Sequence, residues 1–140
     1  MIKSIKNFDL LESHIKNSSL GYKDAIMNYY LNLGKKLGYT VRENAPVIRY
    51  GINIGKVDLL WLEPEVAFTS EFSSIDDLLR NLWKIIELKP MLAVIILSSK
   101  SNCKPGDVSQ LIKNSMITKG MSDTFMLLDI SEKKVVEIKD

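Results

Sequence analysis

At 140 residues, with 46% apolar residues, 26% charged residues and a net charge of +2, the chain has the composition of one soluble globular domain spanning 1–140. The charge is too small to indicate nucleic-acid binding by itself, so a basic surface would require local clustering. The single cysteine, Cys103, excludes an internal disulfide and a cysteine-rich zinc site. It favours a reducing compartment and therefore predicts a cytoplasmic protein. The longest apolar run, Met91 to Leu97, is too short to span a membrane.

Apolar residues recur at helical spacing in some segments and at strand spacing, or as continuous runs, in others. These patterns predict, in chain order, helices over 8–16 and 22–37, strands over 39–43 and 47–50 with an interruption at 44–46, strands over 56–62 and 66–72, a helix capped by Ser74 and ended by Lys89-Pro90, a strand over 91–98, a helix over 107–116, and strands over 124–130 and 134–138. Trp61 and Trp83 lie in apolar periodic runs and are predicted core residues. The strand over 91–98 lacks alternation, which predicts burial on both faces and helices on both sides of the sheet. The order predicts an α/β domain of three layers, with a mixed central β-sheet flanked by helices.

Two of these strands are separated by Glu63-Pro64-Glu65, and each contains one acid. Proline has no amide hydrogen to give to a sheet, so the tripeptide predicts a turn between antiparallel strands. Asp58 in the first strand and Glu71 in the second lie among apolar neighbours, where an ionised carboxylate needs a partner, hydrogen bonds or a metal ion. Two acids on adjacent strands can hold one divalent cation through their oxygen atoms. The sequence therefore predicts a candidate Mg²⁺ or Mn²⁺ site at Asp58 and Glu71.

The two-residue period of a strand predicts the neighbours of these acids. It puts Lys56 on the face of Asp58, and Thr69 and Ser73 on the face of Glu71. If the acids share one side of the sheet, the site lies at the start of the helix that follows Ser74, where free amides favour an anion.

The segment Gly55-Lys-Val-Asp58-Leu-Leu-Trp, followed by Val66-Ala-Phe-Thr-Ser-Glu71-Phe-Ser, resembles the active-site strands of the PD-(D/E)XK nuclease superfamily. With the order helix, three-strand meander, helix, strand, the resemblance covers about residues 21–98 and implies a restriction-endonuclease-like fold. A C-terminal helix and two strands, about 104–138, would extend this core. The resemblance implies that both acids and the Phe72 carbonyl bind Mg²⁺, and that the metal and a lysine activate water to cut a DNA phosphodiester.

This chain departs from the family pattern at the lysine of the acid-x-Lys motif. With Glu71 as the acid, Ser73 stands where the lysine would be. With Glu71 in the lysine position, Thr69 stands where the acid would be. The first register keeps both acids and is preferred, and the missing ammonium is then assigned to Lys56 or to Lys84 on the next helix.

Because the motif lysine is missing, a second interpretation stays open: a catalytically inactive nuclease-fold protein that binds nucleic acid or another protein. Asp58 would then accept turn amides, and Glu71 would be a surface glutamate or a partner of Arg49 or Arg80. In either case Lys84 and Arg80 are the predicted nucleic-acid contacts. The resemblance also implies a homodimer, for which the last two strands would provide a sheet edge.

Overall fold

The computed structural model of the protein describes residues 1–63, 65–114 and 124–139. These residues form five α-helices and six β-strands. In chain order they are α1 (Ile2–Ile5), α2 (Phe8–Asn17), α3 (Tyr22–Lys36), β1 (Thr40–Arg49), β2 (Ile52–Leu62), β3 (Val66–Ser70), α4 (Ile75–Leu88), β4 (Leu92–Leu97), α5 (Pro105–Asn114), β5 (Thr124–Asp129) and β6 (Lys134–Ile138). The predicted end of the last helix, at Met116, lies outside the described residues.

The six described strands form one sheet in the order β1-β2-β3-β4-β5-β6. β1, β2 and β3 pair antiparallel as a meander. β3, β4 and β5 pair parallel, and β6 returns antiparallel to β5. The predicted mixed sheet is therefore confirmed. The crossover from β3 to β4 is made by α4, as parallel neighbours require.

β4 separates two clusters of core residues, one on each face of the sheet. Its alternate residues Leu92, Val94 and Ile96 pack with side chains of α1, α2 and α3, which contribute Ile5, Leu11, Ile26 and Tyr30. The intervening residues Ala93, Ile95 and Leu97 pack with α4 and α5, which contribute Leu78, Leu82, Ile85, Val108 and Ile112. Helices thus cover both faces of β4, as its unbroken apolar sequence predicts. Each fully buried aliphatic side chain contributes about 1.5–3 kcal/mol to folding.

The two tryptophans differ in burial. Trp61 is fully buried on β2, and its Nε1 donates a hydrogen bond to the Tyr30 carbonyl at 3.0 Å. The prediction that Trp83 is a core residue is wrong, because this side chain is 47% exposed. α4 turns Leu82 toward the sheet, and Trp83 is rotated from it by about 100°, onto the flank of the helix.

The predicted interruption at 44–46 is also wrong, since β1 runs without a break from Thr40 to Arg49. Asn44 accommodates the irregular position with a φ of 50°. Pro46 is tolerated because β1 is an outer strand of the sheet. The turn that follows is at Tyr50 and Gly51, so β2 begins earlier than predicted. Within the described residues, no helix combines the length and the apolar character that a bilayer crossing requires.

Candidate functional site

Asp58 on β2 and Thr69 on β3 meet across the antiparallel strand pair. The pairing sets Leu59 opposite Phe68, so Asp58 falls opposite Thr69 one position further along. Thr69 Oγ1 donates a hydrogen bond to Asp58 Oδ2 at 3.0 Å. Thr69 is buried and Asp58 is half-buried. One carboxylate oxygen of Asp58 is thereby fixed by a side chain of the neighbouring strand.

Glu71 directly follows the end of β3 and is only 6% exposed. Its Oε1 accepts hydrogen bonds from the Ser73 amide at 3.1 Å and from the Ser73 hydroxyl at 2.8 Å. Its Oε2 lies 3.6 Å from Nζ of Lys23 on α3. Burial acts to raise the pKa of Glu71, but the Ser73 hydrogen bonds and the Lys23 charge together outweigh burial and lower the pKa. Glu71 is therefore an anion at neutral pH.

The regular alternation of β2 breaks at Asp58. Val57 packs in the cluster beneath α4 and α5, whereas Leu59, two residues later, packs in the cluster beneath α1–α3. Residues two apart share a face on a regular strand, so the strand changes face between them. On β1 the residue at this level is Asn44, whose φ is 50°. Such irregularities next to functional sites re-aim side chains.

The break in alternation affects the predicted position of Lys56, which the sequence places on the face of Asp58. The alternation behind that placement is interrupted between the two residues, and the Lys56 side chain is exposed. Lys84 approaches β2 from α4: a Cβ on Gly55 would lie 2.7 Å from Lys84 Cδ and 3.6 Å from Lys84 Nζ. The stem of Lys84 therefore crosses the backbone of β2 at Gly55, three residues before Asp58.

The two arginines considered as partners of Glu71 are engaged elsewhere. Arg49 donates from Nε to the Glu87 carbonyl at 2.7 Å. Arg80 Nη1 lies 3.8 Å from Asp77 Oδ1 on the exposed side of α4. Within the described residues, Lys23 is the basic side chain within 4.0 Å of Glu71.

The carbonyl of Phe72, which the resemblance implies as a metal ligand, accepts a hydrogen bond from the Asn102 amide at 3.1 Å. A carbonyl oxygen has two lone pairs, so one remains for another partner. The Phe72 ring packs against Tyr22 of α3, with ring centroids 5.5 Å apart. Phe72 thus joins the end of β3 to α3 and to the loop after β4.

The possible metal ligands at this site are oxygen atoms, which suit a hard cation, but they are few. Asp58, Glu71 and Thr69 offer oxygen atoms, which Mg²⁺ prefers. In the described part of the chain, no three His, Cys, Asp or Glu side chains are grouped to hold a metal ion. Mg²⁺ commonly uses one or two carboxylates, retained waters and substrate phosphates. The residues present thus offer the donor type that such a cation takes, and the described residues do not form a closed protein cage.

Two features near the C-terminal ends of the parallel strands were not predicted from the sequence. Lys23 lies on a helix far from the strands in sequence, and no local pattern signals its contact with Glu71. The second feature is Asp129 at the end of β5, which is 6% exposed. A signal for it existed, because polar residues lie at the ends of two adjacent strands, with Ser98 directly after β4 and Asp129 as the last residue of β5.

Asp129 holds the ends of β4 and β5 together. Its Oδ1 accepts hydrogen bonds from the amides of Ser99 and Ser131, both at 3.1 Å, and from the Ser131 hydroxyl at 2.8 Å. Burial acts to raise the pKa of Asp129, but the hydrogen bonds from Ser131, Ser99 and Glu132 outweigh it and lower the pKa. An oxygen with this many local donors indicates a structural clamp between strand ends.

No protein-family model matches the chain, and no curated protein matches its sequence. Among solved structures, the chain is similar to a chain of the CdiA-CT/CdiI toxin and immunity complex from Burkholderia pseudomallei. The two are 16% identical, the match covers 81% of this chain and 82% of that chain, and the TM-score is 0.46. A similarity at this level carries no argument about activity or partners.

Proposed function

We propose that this chain is a divalent-metal-dependent nuclease with a restriction-endonuclease-like fold, and that it hydrolyses DNA phosphodiesters at Asp58 and Glu71. The observation that carries the proposal is the environment of Glu71. It is a buried, ionised carboxylate with the ammonium of Lys23 beside it. Two residues earlier in the chain, Thr69 donates a hydrogen bond to Asp58 on the neighbouring strand.

The arrangement of strands supports the same fold assignment. Asp58 lies on β2 and Glu71 directly follows β3 in an antiparallel meander, and α4 leads from β3 into the parallel strand β4. The resemblance seen in the sequence implies this order. Ser74 caps α4 by accepting a hydrogen bond from the Asp77 amide at 3.3 Å, so the helix begins next to Glu71.

Each residue would have a distinct part in the chemistry. Asp58 and Glu71 would hold the metal ion, with the Phe72 carbonyl as a further ligand, while Thr69 fixes the carboxylate of Asp58. A bound Mg²⁺ or Mn²⁺ supplies Lewis-acid stabilisation of the phosphate and lowers the pKa of a coordinated water.

The ammonium that the motif lacks at Ser73 would come from Lys23, which reaches the same carboxylate from α3. In that position it can orient the attacking water and stabilise negative charge as it develops on the phosphate. Lys56 stays an alternative source of the ammonium. Lys84 and Arg80 would contact the DNA backbone.

Plasmid and branched DNA, each with Mg²⁺ or Mn²⁺, test this proposal. We expect the wild type to cut, and Asp58→Asn and Glu71→Gln to abolish cutting. Glu65→Gln is the matched control, because Glu65 is an exposed glutamate just before β3 begins, at the opposite end of the strand from Glu71.

Calorimetric titration with the metal alone separates the remaining outcomes. Metal binding without cutting of any DNA would favour the inactive nuclease-fold module. If the wild type neither cuts nor binds metal, the assignment of Asp58 and Glu71 as a metal site is wrong.

A further inference from the structure

The hairpin formed by the ends of β1 and β2, residues 44–57, extends beyond the rest of the meander. In the described residues β3 pairs with β2 from Leu59 to Trp61, so residues 52–57 of β2 lie past that pairing. One side of this hairpin packs beneath α4 through Ala45, Val47 and Val57. Arg49 anchors it further by donating to the Glu87 carbonyl at the end of α4. We call residues 44–57 the arm. Its contacts with α4 hold it in a fixed position relative to the rest of the sheet.

The tip of the arm carries an aromatic residue where the backbone disfavours one. Tyr50 and Gly51 form the turn with φ values of 54° and 76°. Two left-handed residues are typical of a tight hairpin turn, and Asn-Gly is the pair that suits it best. A tyrosine in this conformation is uncommon. Its side chain is 98% exposed, so no packing against the described residues compensates for the strain. Uncompensated strain of this kind points to a role outside folding.

The charges around the arm are cationic. Residues 44–57 contain Arg49 and Lys56 and no acid, and Arg49 pairs with Glu87 of α4, with 4.0 Å between Nε and Oε2. Lys84 of α4 adds a third cation, since its stem lies across Gly55. Gly55 is three residues before Asp58, or about 10 Å along the strand. Lys84 lies on the face of the arm that packs beneath α4, whereas Lys56, the neighbour of Val57, lies on the opposite face.

Exposed apolar groups accompany these cations at the tip. Ile48 and Ile52 flank Tyr50 and are more than half exposed. Cations beside an exposed aromatic ring are the combination by which proteins bind single-stranded nucleic acid, with lysines on phosphates and bases stacked on the ring. A second copy of this chain would have to place the same cations against each other, which opposes self-association through the arm.

We propose that the arm binds single-stranded or locally unpaired DNA, with Tyr50 stacked on an unpaired base at the tip and with Lys56 and Lys84, one on each face of the arm, on phosphates of the same strand on either side of that base. This inference rests on the proposed nuclease function and names its substrate class as DNA with unpaired bases. It adds Tyr50 to the binding surface.

Fluorescence anisotropy in EDTA, with a short labelled oligodeoxynucleotide as a single strand and as a duplex, tests the arm apart from cutting. The decisive variant is Tyr50→Asn, because asparagine suits the left-handed turn and should preserve or raise the melting temperature. We expect it to weaken single-strand binding by about fivefold or more while changing duplex binding less. Lys56→Gln and Lys84→Gln should weaken binding to both probes and each reduce the salt slope for the single strand by about 0.7.

Matched controls lie away from the arm. Leu10→Ser removes an exposed apolar side chain of α2, and Lys36→Gln removes an exposed cation at the end of α3. Both should bind as the wild type does. Unchanged single-strand affinity in Tyr50→Asn would overturn the role of the arm, and if Asp58→Asn still abolished cutting, the proposed nuclease function would stand. A wild type that does not bind the single strand would also overturn the role of the arm in DNA binding. The same holds if Tyr50→Asn changes the sedimentation coefficient, which reports the oligomeric state, and leaves DNA binding unchanged.

Discussion

Lys23 on α3 and Glu71 at the end of β3 form an ion pair, with 3.6 Å between Nζ and Oε2. The pair connects a helix that covers one face of the sheet to the residue that directly follows β3. Lys23 is about half exposed, while Glu71 is buried. The carboxylate is therefore the fixed partner, and the ammonium extends to it from the solvent side.

Replacing this ammonium should separate catalysis from stability. We expect Lys23→Met to lower the rate of DNA cutting about a hundredfold, the loss typical for removal of one charge-stabilising donor. The free energy of unfolding should change by less than about 1 kcal/mol, because a half-exposed ion pair is worth little. Single-turnover cutting and urea denaturation measure the two effects. Lys23→Arg should recover part of the cutting rate, and a variant that cuts at the wild-type rate would exclude Lys23 from the reaction.

Glu71 should contribute stability that disappears in acid. Its pKa in the folded chain is lower than the ordinary value of 4.5, so the contribution is complete above that value and is lost as the pH falls through the lower folded pKa. We expect Glu71→Gln to unfold more easily at neutral pH by about 1–3 kcal/mol, since charge-assisted hydrogen bonds are lost. Denaturation at a series of pH values should show this difference shrinking as the pH falls below 4.5 and through the lower pKa of the folded chain. Glu65→Gln should show no such convergence, and a pH-independent effect of Glu71→Gln would contradict the argument.

Gly34 on α3 should tolerate no side chain. A Cβ at this position would collide with Nε1 of Trp61 and lie 2.7 Å from Val41 Cγ1 and 2.8 Å from Trp61 Cδ1. We expect Gly34→Ala to destabilise the fold by about 1–3 kcal/mol through overpacking, and to disturb the Trp61 hydrogen bond to Tyr30. Thermal melting and tryptophan fluorescence report the two effects. The matched control is Gly106→Ala on α5, where a Cβ would meet no atom within 4 Å and stability should hold or rise.

Cys103 should be inert in the folded protein. Its side chain is fully buried, and burial, assisted by the negative charge of Glu71, raises the pKa of the thiol. A thiol-directed reagent at neutral pH should therefore modify Cys103 only after unfolding, at a rate that rises with denaturant. Rapid labelling of the native chain would show that this loop opens readily.

Periodicity in the sequence predicts most of the fold, because each face of a helix or strand has a residue pattern of its own. β4 and α4 are examples, since LAVIIL can only be buried on both sides and the leucines of α4 recur at helical spacing. α1 was not predicted, because four residues are too few to show a period. The continuity of β1 was missed, since Asn44 and Pro46 ordinarily break strands and only their position on an outer strand permits them.

The candidate site was less predictable than the fold. A sequence shows that Asp58 and Glu71 are acids among apolar residues, but not that β2 changes face at Asp58. The contact of Lys23 with Glu71 depends on how α3 crosses the sheet, which no local pattern contains. A contact between elements far apart in sequence depends on how helices and strands pack, and this packing is set by the whole chain and not by a local segment.

The two outer strands of the sheet are unequal, and the inequality restricts how copies of this chain could join. On β1, Pro46 has no amide hydrogen to donate, and the positive φ of Asn44 makes the backbone irregular. A strand of another chain therefore cannot form a regular series of hydrogen bonds with β1. β6 carries neither interruption. Head-to-tail stacking of β6 on β1, which would build an endless fibre, is thereby discouraged. Any sheet-to-sheet association is directed to β6 against β6, a symmetric contact that is complete with two chains.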